Sequence, residues 1–360
     1  MTGNVLLTGL GTVGREVLLA LLRRTGCSVS VVVRDRGSRT AERRAAAVFD
    51  DLGLTAAERS RVGVLRGDVS RDNFALDGPA LDAILATTEI IIHSAAATSL
   101  TADRELCARV NRGGTANALM LAEHAFLRGT LKRYVHVSTT FIAGARFDGR
   151  VLEDELPGAP RHANEYEASK YDAERIVRAA AHAGLPAAIV RPSMVVGHSR
   201  TGVTRDFDVI YPLMRLVASG YLTRFPADPN ARVHLAPLDL VVDGILAAAE
   251  APWAPGRTFH LTAPEPPTVA DVFGCDGFYP PGAPRPRLCA PDAFDGSECG
   301  ERERDLLASV SFCLPYFNSR LEFDTSNAAR LVPLPITDAA FLARLGRYAI
   351  ESGYIRYAVA

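Results

Sequence analysis

A tyrosine and a lysine stand four residues apart in Tyr166-Glu167-Ala168-Ser169-Lys170, a spacing that puts both side chains on one face of a helix. A phenol with an ordinary pKa of about 10 is a poor acid or base at neutral pH. An ammonium group beside it stabilises the phenolate and draws it towards the working range, so the pair is suited to giving a proton to a carbonyl oxygen or taking one from an alcohol. The composition singles out the same position. Of 40 basic residues all but two, Lys132 and Lys170, are arginine. A site that keeps lysine in such a chain is expected to need a compact ammonium that a planar guanidinium does not replace.

Two further groups are expected beside this pair. Ser138-Thr139-Thr140 follows a β-branched run, where a parallel sheet presents ligand-binding residues. The hydroxyl of Thr139 is the expected hydrogen-bond partner of the substrate oxygen, with Ser138 and Thr140 as alternatives and a strand-end cap as the ordinary role. Asn111, in Val110-Asn111-Arg112-Gly113-Gly114-Thr115, is expected to bond backbone or water near Lys170. Catalytic candidates are therefore Thr139, Tyr166, Lys170 and Asn111.

A glycine-rich turn opens the chain: Thr8-Gly9-Leu10-Gly11-Thr12-Val13-Gly14, between an apolar run and a helical pattern. Glycines there allow a tight turn and close approach of backbone to a pyrophosphate, and the following helix offers unpaired N–H groups. Thr8, Gly9, Gly11, Thr12, Val13 and Gly14 are thus candidate dinucleotide ligands. At the end of the second strand Val33 is followed by Arg34, with Arg36 and Arg39 close behind, and a guanidinium matches a 2′-phosphate. NADP(H) is the expected cofactor. NAD(H), held through Asp35, is the alternative. Asp68, after Gly67, is placed to reach the adenine, with a loop cap as its other reading.

The elements that must carry these groups alternate. Strands are expected at Asn4–Thr8, Ser28–Val33, Val62–Arg66, Ile90–His93, Tyr134–Ser138 and Ala187–Arg191, with helices at Val13–Arg24, Thr40–Asp51, Thr115–Leu127 and Tyr166–Ala183. This is the rhythm of an α/β, Rossmann-type doubly wound parallel sheet. Leu235–Glu250 reads as a helix and Arg257–Thr262 as a strand folded back on it. The expected division is a dinucleotide-binding core over 1–268, with substrate-side insertions from about 200, and a smaller C-terminal substrate-binding cap over 269–360.

Composition sets outer bounds. The chain has 360 residues, a formal net charge of -1 and 48% hydrophobic residues, so it can bury a sizeable core and presents no excess of basic charge for nucleic acid. Runs such as Val17 to Leu22 are too short for a bilayer span. Met1 to Thr8 is expected to enter a strand directly rather than form a secretory leader, and the location is expected to be cytoplasmic. The six cysteines lack metal-ligand or disulfide spacing, and no metal is expected. His93, His136 and His260 read as core residues, His198 and His234 as candidates for the substrate side, and Glu301 to Asp305 as a solvated helix face.

Together these residues resemble the extended short-chain dehydrogenase/reductases. The likeness covers the glycine loop, Gly67-Asp68, His93-Ser94-Ala95-Ala96, Asn111 to Thr115, Ser138 to Thr140, Tyr166 to Lys170 and Arg191-Pro192-Ser193. Within that superfamily the chain looks most like the fatty acyl reductases and thioester reductase domains. The pointers are Val32-Val33-Arg34 before an arginine-rich helix, the Ser-Thr strand end, and the stretch from Pro315-Tyr316-Phe317 to Asn327. The family's loop is T-G-x-x-G-x-x-G, whereas this one is a residue shorter between its first two glycines. The resemblance implies NADPH-dependent reduction of an acyl thioester, on CoA or a carrier protein, to aldehyde or alcohol. It adds Val69, Ala95 and Pro192 to the cofactor wall and gives Lys170 a second role on the ribose. An acyl carrier protein is the implied partner, and a homodimer through two long helices the implied assembly. A reductase of free ketones or aldehydes needs the same residues, and a non-catalytic dinucleotide sensor shares the fold.

Overall fold

A computed structural model of the chain describes residues 1–356 apart from 145, 147, 159, 209 and 280–282. Seven parallel strands form the central sheet: β1 Asn4–Thr8, β2 Ser28–Val33, β3 Val62–Arg66, β4 Thr88–His93, β5 Arg133–Val137, β6 Ala187–Pro192 and β7 Thr258–Leu261. Their spatial order is β7-β6-β5-β4-β1-β2-β3. The order reverses between β1 and β4, and that reversal leaves a crevice outside the carboxyl ends of those strands. The fold is Rossmann-type, as the alternation of the sequence predicts.

Period-two alternation assigns side chains to the two faces. Val5 and Leu7 of β1 join one apolar layer with helices α1 (Thr12–Arg24), α2 (Ala41–Asp51) and, late in the chain, Leu238–Glu250. Leu6 points the other way, into a layer with Gly78–Thr87, Gly114–Leu127 and Glu165–His182. These last three helices are α3, α4 and α5, and Leu238–Glu250 is α6. At Gly244 of α6 a Cβ would lie 2.5 Å from the Leu261 side chain, so this glycine lets helix and sheet close up.

Some elements differ from expectation. Leu235–Glu250 is not one helix: Leu235–Pro237 pairs in parallel with Met194–Val196, and α6 begins only after Pro237, which fixes an extended backbone (φ -55, ψ 138) at its N-cap. The helix α3 has no strong periodicity and shows itself chiefly by its Asp77 cap and Pro79 in its first turn. Glu303 is not on a solvated face. It is buried, and its carboxylate accepts from the backbone N–H of Thr223 at 2.6 Å and of Arg224 at 3.1 Å.

A third apolar cluster forms the cap. It joins Met194 to Leu235, including the helix Ile210–Ala218, with Val269 to Ile355, including the helix Ala339–Glu351. The two segments flank the return to the sheet through α6 and β7, so the cap core draws on both sides of residue 268. The C-terminal segment itself returns to the sheet layer, where Ala328 and Val332 join the α1/α6 face and Arg330 lies 4.6 Å over the Trp253 ring.

Beneath the crevice lies a buried polar network. Glu174 of α5 accepts from Arg191 of β6 at Nη2 (2.5 Å) and Nε (3.0 Å), from Arg178 (2.9 Å) and from Ser138 (2.7 Å). Arg191 also donates to His260 Nε2 at 2.9 Å, which leaves the His260 proton on Nδ1, donated to the Asp324 carbonyl at 2.6 Å. His260 is therefore neutral, and burial, then the Arg191 charge, lowers it to about 3. Burial likewise lowers His93 to about 3 and His234 to about 4.

Unfolded imidazoles titrate near 6.5, so below that pH the unfolded chain binds more protons than the native one and stability falls as pH falls. Each of the three imidazoles contributes roughly 1.4 kcal/mol per pH unit to that loss until its native value is reached. Glu153, pushed up to about 7 by burial, acts in the opposite sense between 4.5 and 7. Glu167 and Asp208, also raised by burial, act in that sense too, while His136, held well below its ordinary value by burial, adds to the loss. The urea midpoint at pH 5 is expected to lie clearly below that at pH 7; equal midpoints would show that the imidazoles are not held neutral.

Candidate active site

The loop from β1 to α1 lies at the crevice. Gly9 has φ +84, a left-handed conformation open to glycine, and a Cβ there would sit 2.7 Å from the Ala95 backbone after β4. A Cβ on Gly14 would lie 1.9 Å from the Gly9 carbonyl oxygen, so this glycine seats α1 on its own loop. Gly11 is the N-cap of α1. A Cβ on it would meet nothing within 4 Å, and no side chain caps the helix. The first turn of α1 thus presents its N–H groups to open space, which is the cradle a pyrophosphate requires.

The loop forms one end of a cleft of about 1010 Å³. Beyond β2 the cleft wall carries three guanidinium groups, Arg34, Arg39 and Arg44. Burial and the charges of Arg34, Arg36 and Arg39 lower the Arg44 guanidinium from its usual value. Crowded cations of this kind can hold a phosphate. Asp35, the alternative ribose ligand, does not line the cleft. Its carboxylate accepts from the Ala41 N–H at 2.8 Å and pairs with Arg66 at 2.5 Å. Asp68 does line the cleft, and it also closes its own turn by accepting from Ser70 N (2.9 Å) and Oγ (2.8 Å).

At the other end α5 brings Tyr166 and Lys170 against the ends of β5 and β6. Both line the cleft with Thr139, Pro192 and Ser193. Burial pushes the Tyr166 phenol up to about 12 against a hydrogen bond with Thr139, which pulls it down. Lys170 Nζ donates to the Val137 carbonyl at 2.7 Å, and burial lowers its ammonium to about 8 while Glu174, one turn on, raises it. Among the three hydroxyls after β5, Ser138 is spent on Glu174 and Thr140 is buried without a hydrogen-bond partner. Ser138 and Thr139 line the cleft and Thr140 does not, which leaves Thr139 as the lining hydroxyl not spent on Glu174.

Gly9, Gly11, Thr12, Val13, Gly14, Arg34, Asp68, Val69, Ala95, Thr139, Tyr166, Lys170 and Pro192 therefore share one cleft. Two expected residues stand behind its wall. Thr8 is buried with its hydroxyl on His93 Nδ1 at 2.8 Å. Asn111 lies in a turn of π-helix, Ala108–Gly113, and its amide bonds Ala97 in both directions (2.7 and 3.0 Å) and the Ser169 hydroxyl at 2.8 Å. These bonds, to the Ala97 backbone and to the residue beside Lys170, brace α5. His198 and His234 lie off the cleft, and His234 bonds the Leu321 carbonyl at 2.9 Å. Reasoning from sequence missed Arg44, whose signal was its place in the helix after Arg34. It also missed Arg15, Asp206 and the apolar far end formed by Leu100, Phe141, Pro212 and Phe312.

A parallel sheet with this order, a glycine loop at its reversal point and a tyrosine–lysine helix facing the same cleft defines an oxidoreductase of the extended short-chain dehydrogenase/reductase class, dependent on a nicotinamide dinucleotide. Residues 7–245 match the family model described as male sterility protein, and the chain belongs to that family. It is 28% identical over 281 residues to the nonribosomal peptide synthetase asaC of Aspergillus flavus, covering 75% of this chain and 27% of that protein. It is 25% identical over 299 residues to the fatty acyl-CoA reductase wat of Drosophila melanogaster, covering 73% and 56%. The chain thus spans about a quarter to a half of the length of these relatives. In fold it is similar to the terminal R domain from the myxalamid PKS-NRPS biosynthetic pathway, with a TM-score of 0.85, 23% identity, and 99% and 92% of the two chains covered. The resemblance drawn from the residues is borne out.

Gly14→Ala is expected to destabilise the fold by roughly 1–3 kcal/mol, the usual range for a forced overpacking, because its methyl has no space against the Gly9 carbonyl. A chemical-denaturation midpoint unchanged from the parent would contradict this close approach.

Proposed function

We propose that this chain reduces the carbonyl of an acyl thioester to the aldehyde, with NADPH as the reductant. The reading is carried by one observation: Tyr166, hydrogen-bonded to Thr139, faces the same cleft as the glycine loop and the Arg34, Arg39 and Arg44 cluster. NADPH supplies the hydride when bound, held by the α1 N-terminus at its pyrophosphate and by the guanidinium cluster at its 2′-phosphate. The engagement of Asp35 with Ala41 and Arg66 supports the phosphate-bearing cofactor over NADH.

The chain's own residues do the rest. The hydroxyls of Tyr166 and Thr139 donate to the carbonyl oxygen as it gains negative charge. Lys170, one turn along the same helix face and fixed by Val137, supplies the positive charge that would offset the cost of phenolate in a buried site. The oxygen gains a proton, and the resulting hemithioacetal breaks its C–S bond to leave aldehyde and free thiol. The names of the peptide synthetase and fatty acyl-CoA reductase relatives support a thioester as substrate, and a phosphopantetheine-bearing carrier as the partner that presents it. Residues 269–360 take part as the substrate-binding region by supplying Phe312 to the apolar far end.

The test is NADPH oxidation by the purified chain with acyl-CoA thioesters and the matching aldehydes and ketones. Thioester turnover is expected, and Tyr166→Phe is expected to lower it by roughly 10²–10⁴-fold, the range of general acid catalysis. Turnover of free ketones or aldehydes alone would move the chain to the ordinary carbonyl reductases. Separately, Arg34→Ala combined with Arg44→Ala is expected to weaken NADPH binding at least tenfold and leave NADH binding nearly unchanged, as read by quenching or enhancement of reduced-nicotinamide fluorescence. Equal losses for the two cofactors would refute the 2′-phosphate role.

A further inference from the structure

The cradle of the glycine loop is faced by a carboxylate from the far side of the chain. Asp206 Oδ2 accepts from the Thr12 hydroxyl at 2.6 Å and from Arg15 Nη2 at 2.8 Å, and all three residues line the cleft beside Gly9–Gly14. Thr12 is the first residue of α1. Arg15 also lies 3.4 Å from Asp51 and keeps a buried Nε with no partner. One cation and one hydroxyl at the helix N-terminus are therefore already engaged by an anion.

That anion cannot drift away, because the strap carrying it is tied down on both flanks. Arg205 pairs with Glu16 of α1 at 2.9 Å and donates to the Asp51 carbonyl at 2.9 Å. The Thr204 carbonyl accepts from Tyr348 at 3.0 Å, and the Ser199 carbonyl from Arg344 at 3.0 Å. Gly202, at φ +73, passes so close to the Arg344 carbonyl that a Cβ would lie 2.4 Å from it. On the other flank Phe207 stacks on Tyr354 with ring centroids 4.1 Å apart.

We propose that Asp206 is a built-in competitor of the cofactor pyrophosphate and holds dinucleotide affinity down. The inference rests on the dinucleotide reading above. Binding must exchange the Thr12 and Arg15 bonds of Asp206 for bonds to phosphate, and the fixed carboxylate then remains beside a dianion. The balance favours release of the spent cofactor, which a reductase must discharge on every turnover.

The experiment is titration of the full chain with NADPH, followed by nucleotide fluorescence, for the parent, Asp206→Asn, Arg15→Ala and the double variant. Asp206→Asn keeps the shape and removes the charge. It is expected to tighten NADPH binding about tenfold, equivalent to about 1.4 kcal/mol, with a slower dissociation rate in stopped flow. In the Arg15→Ala background the same change is expected to have a much smaller effect, because the trade passes through that guanidinium; a merely structural role for Asp206 would not depend on Arg15. Unchanged or weaker binding by Asp206→Asn, in a parent that binds NADPH, overturns the proposal. A parent that binds neither NADPH nor NADH overturns the dinucleotide reading instead.

Discussion

The ion pair between Glu174 and Arg191 is the constraint on which the site rests. Both side chains have no solvent exposure, and a pair of charges so placed forgoes several kcal/mol of hydration per ion unless every lone pair and proton is satisfied. Here they are nearly all used. Glu174 receives four hydrogen bonds, and Arg191 spends its remaining donors on His260 and the Glu155 carbonyl at 2.8 Å. The geometry admits little slack, and it fixes α5 against the ends of β5, β6 and β7 at once. Tyr166, Lys170 and Glu174 are successive turns of one helix face. Ser138, bound to Glu174, is the neighbour of Thr139. The positions of Thr139, Tyr166 and Lys170 on the cleft wall are therefore set from below.

The parts of this arrangement visible in the sequence are those encoded locally. Alternating valines and isoleucines disclosed strands buried on both faces. The glycine spacing disclosed a turn whose close approaches the structure confirms at Gly9 and Gly14. The four-residue interval disclosed the shared face of Tyr166 and Lys170. What stayed hidden depends on long-range contact. Asp206 lies 194 residues from Thr12, and no pattern around it marks a partner. Glu303 sits in a run of alternating charge that reads as solvated until Thr223 and Arg224 arrive to use its carboxylate. Asn111 stands behind the cleft wall, where its bonds to Ala97 and Ser169 brace α5, and those partners are not adjacent to it in sequence.

The third apolar cluster shows how one end of the cleft is built from two separated segments of chain. Its core interleaves Met194–Leu235 with Val269–Ile355. One apolar cluster thereby sets Pro212 and Phe312, from opposite halves of the chain, on the same stretch of cleft wall. Phe141, after β5, packs at a tilt against Tyr316 with ring centroids 4.5 Å apart, and the Tyr316 hydroxyl donates to Glu167 at 2.5 Å and accepts from Asn164 at 2.8 Å at the head of α5. The apolar end of the cleft and the start of the catalytic helix are thus held by one ring.

The return of the C-terminal segment to the sheet bears on the order in which the molecule can be completed. The proton on His260 Nδ1 finds its acceptor at Asp324, and the Glu153 carboxylate accepts from the backbone N–H groups of Asn327 and Ala328. A chain emerging from the ribosome has made β1 to β7, Tyr166 and Lys170 before these residues appear. Until they do, His260 and Glu153 lack the partners that make their burial tolerable, and the support under Arg191 is unfinished. The support beneath the cleft is thus complete only when residues 324–328 are in place.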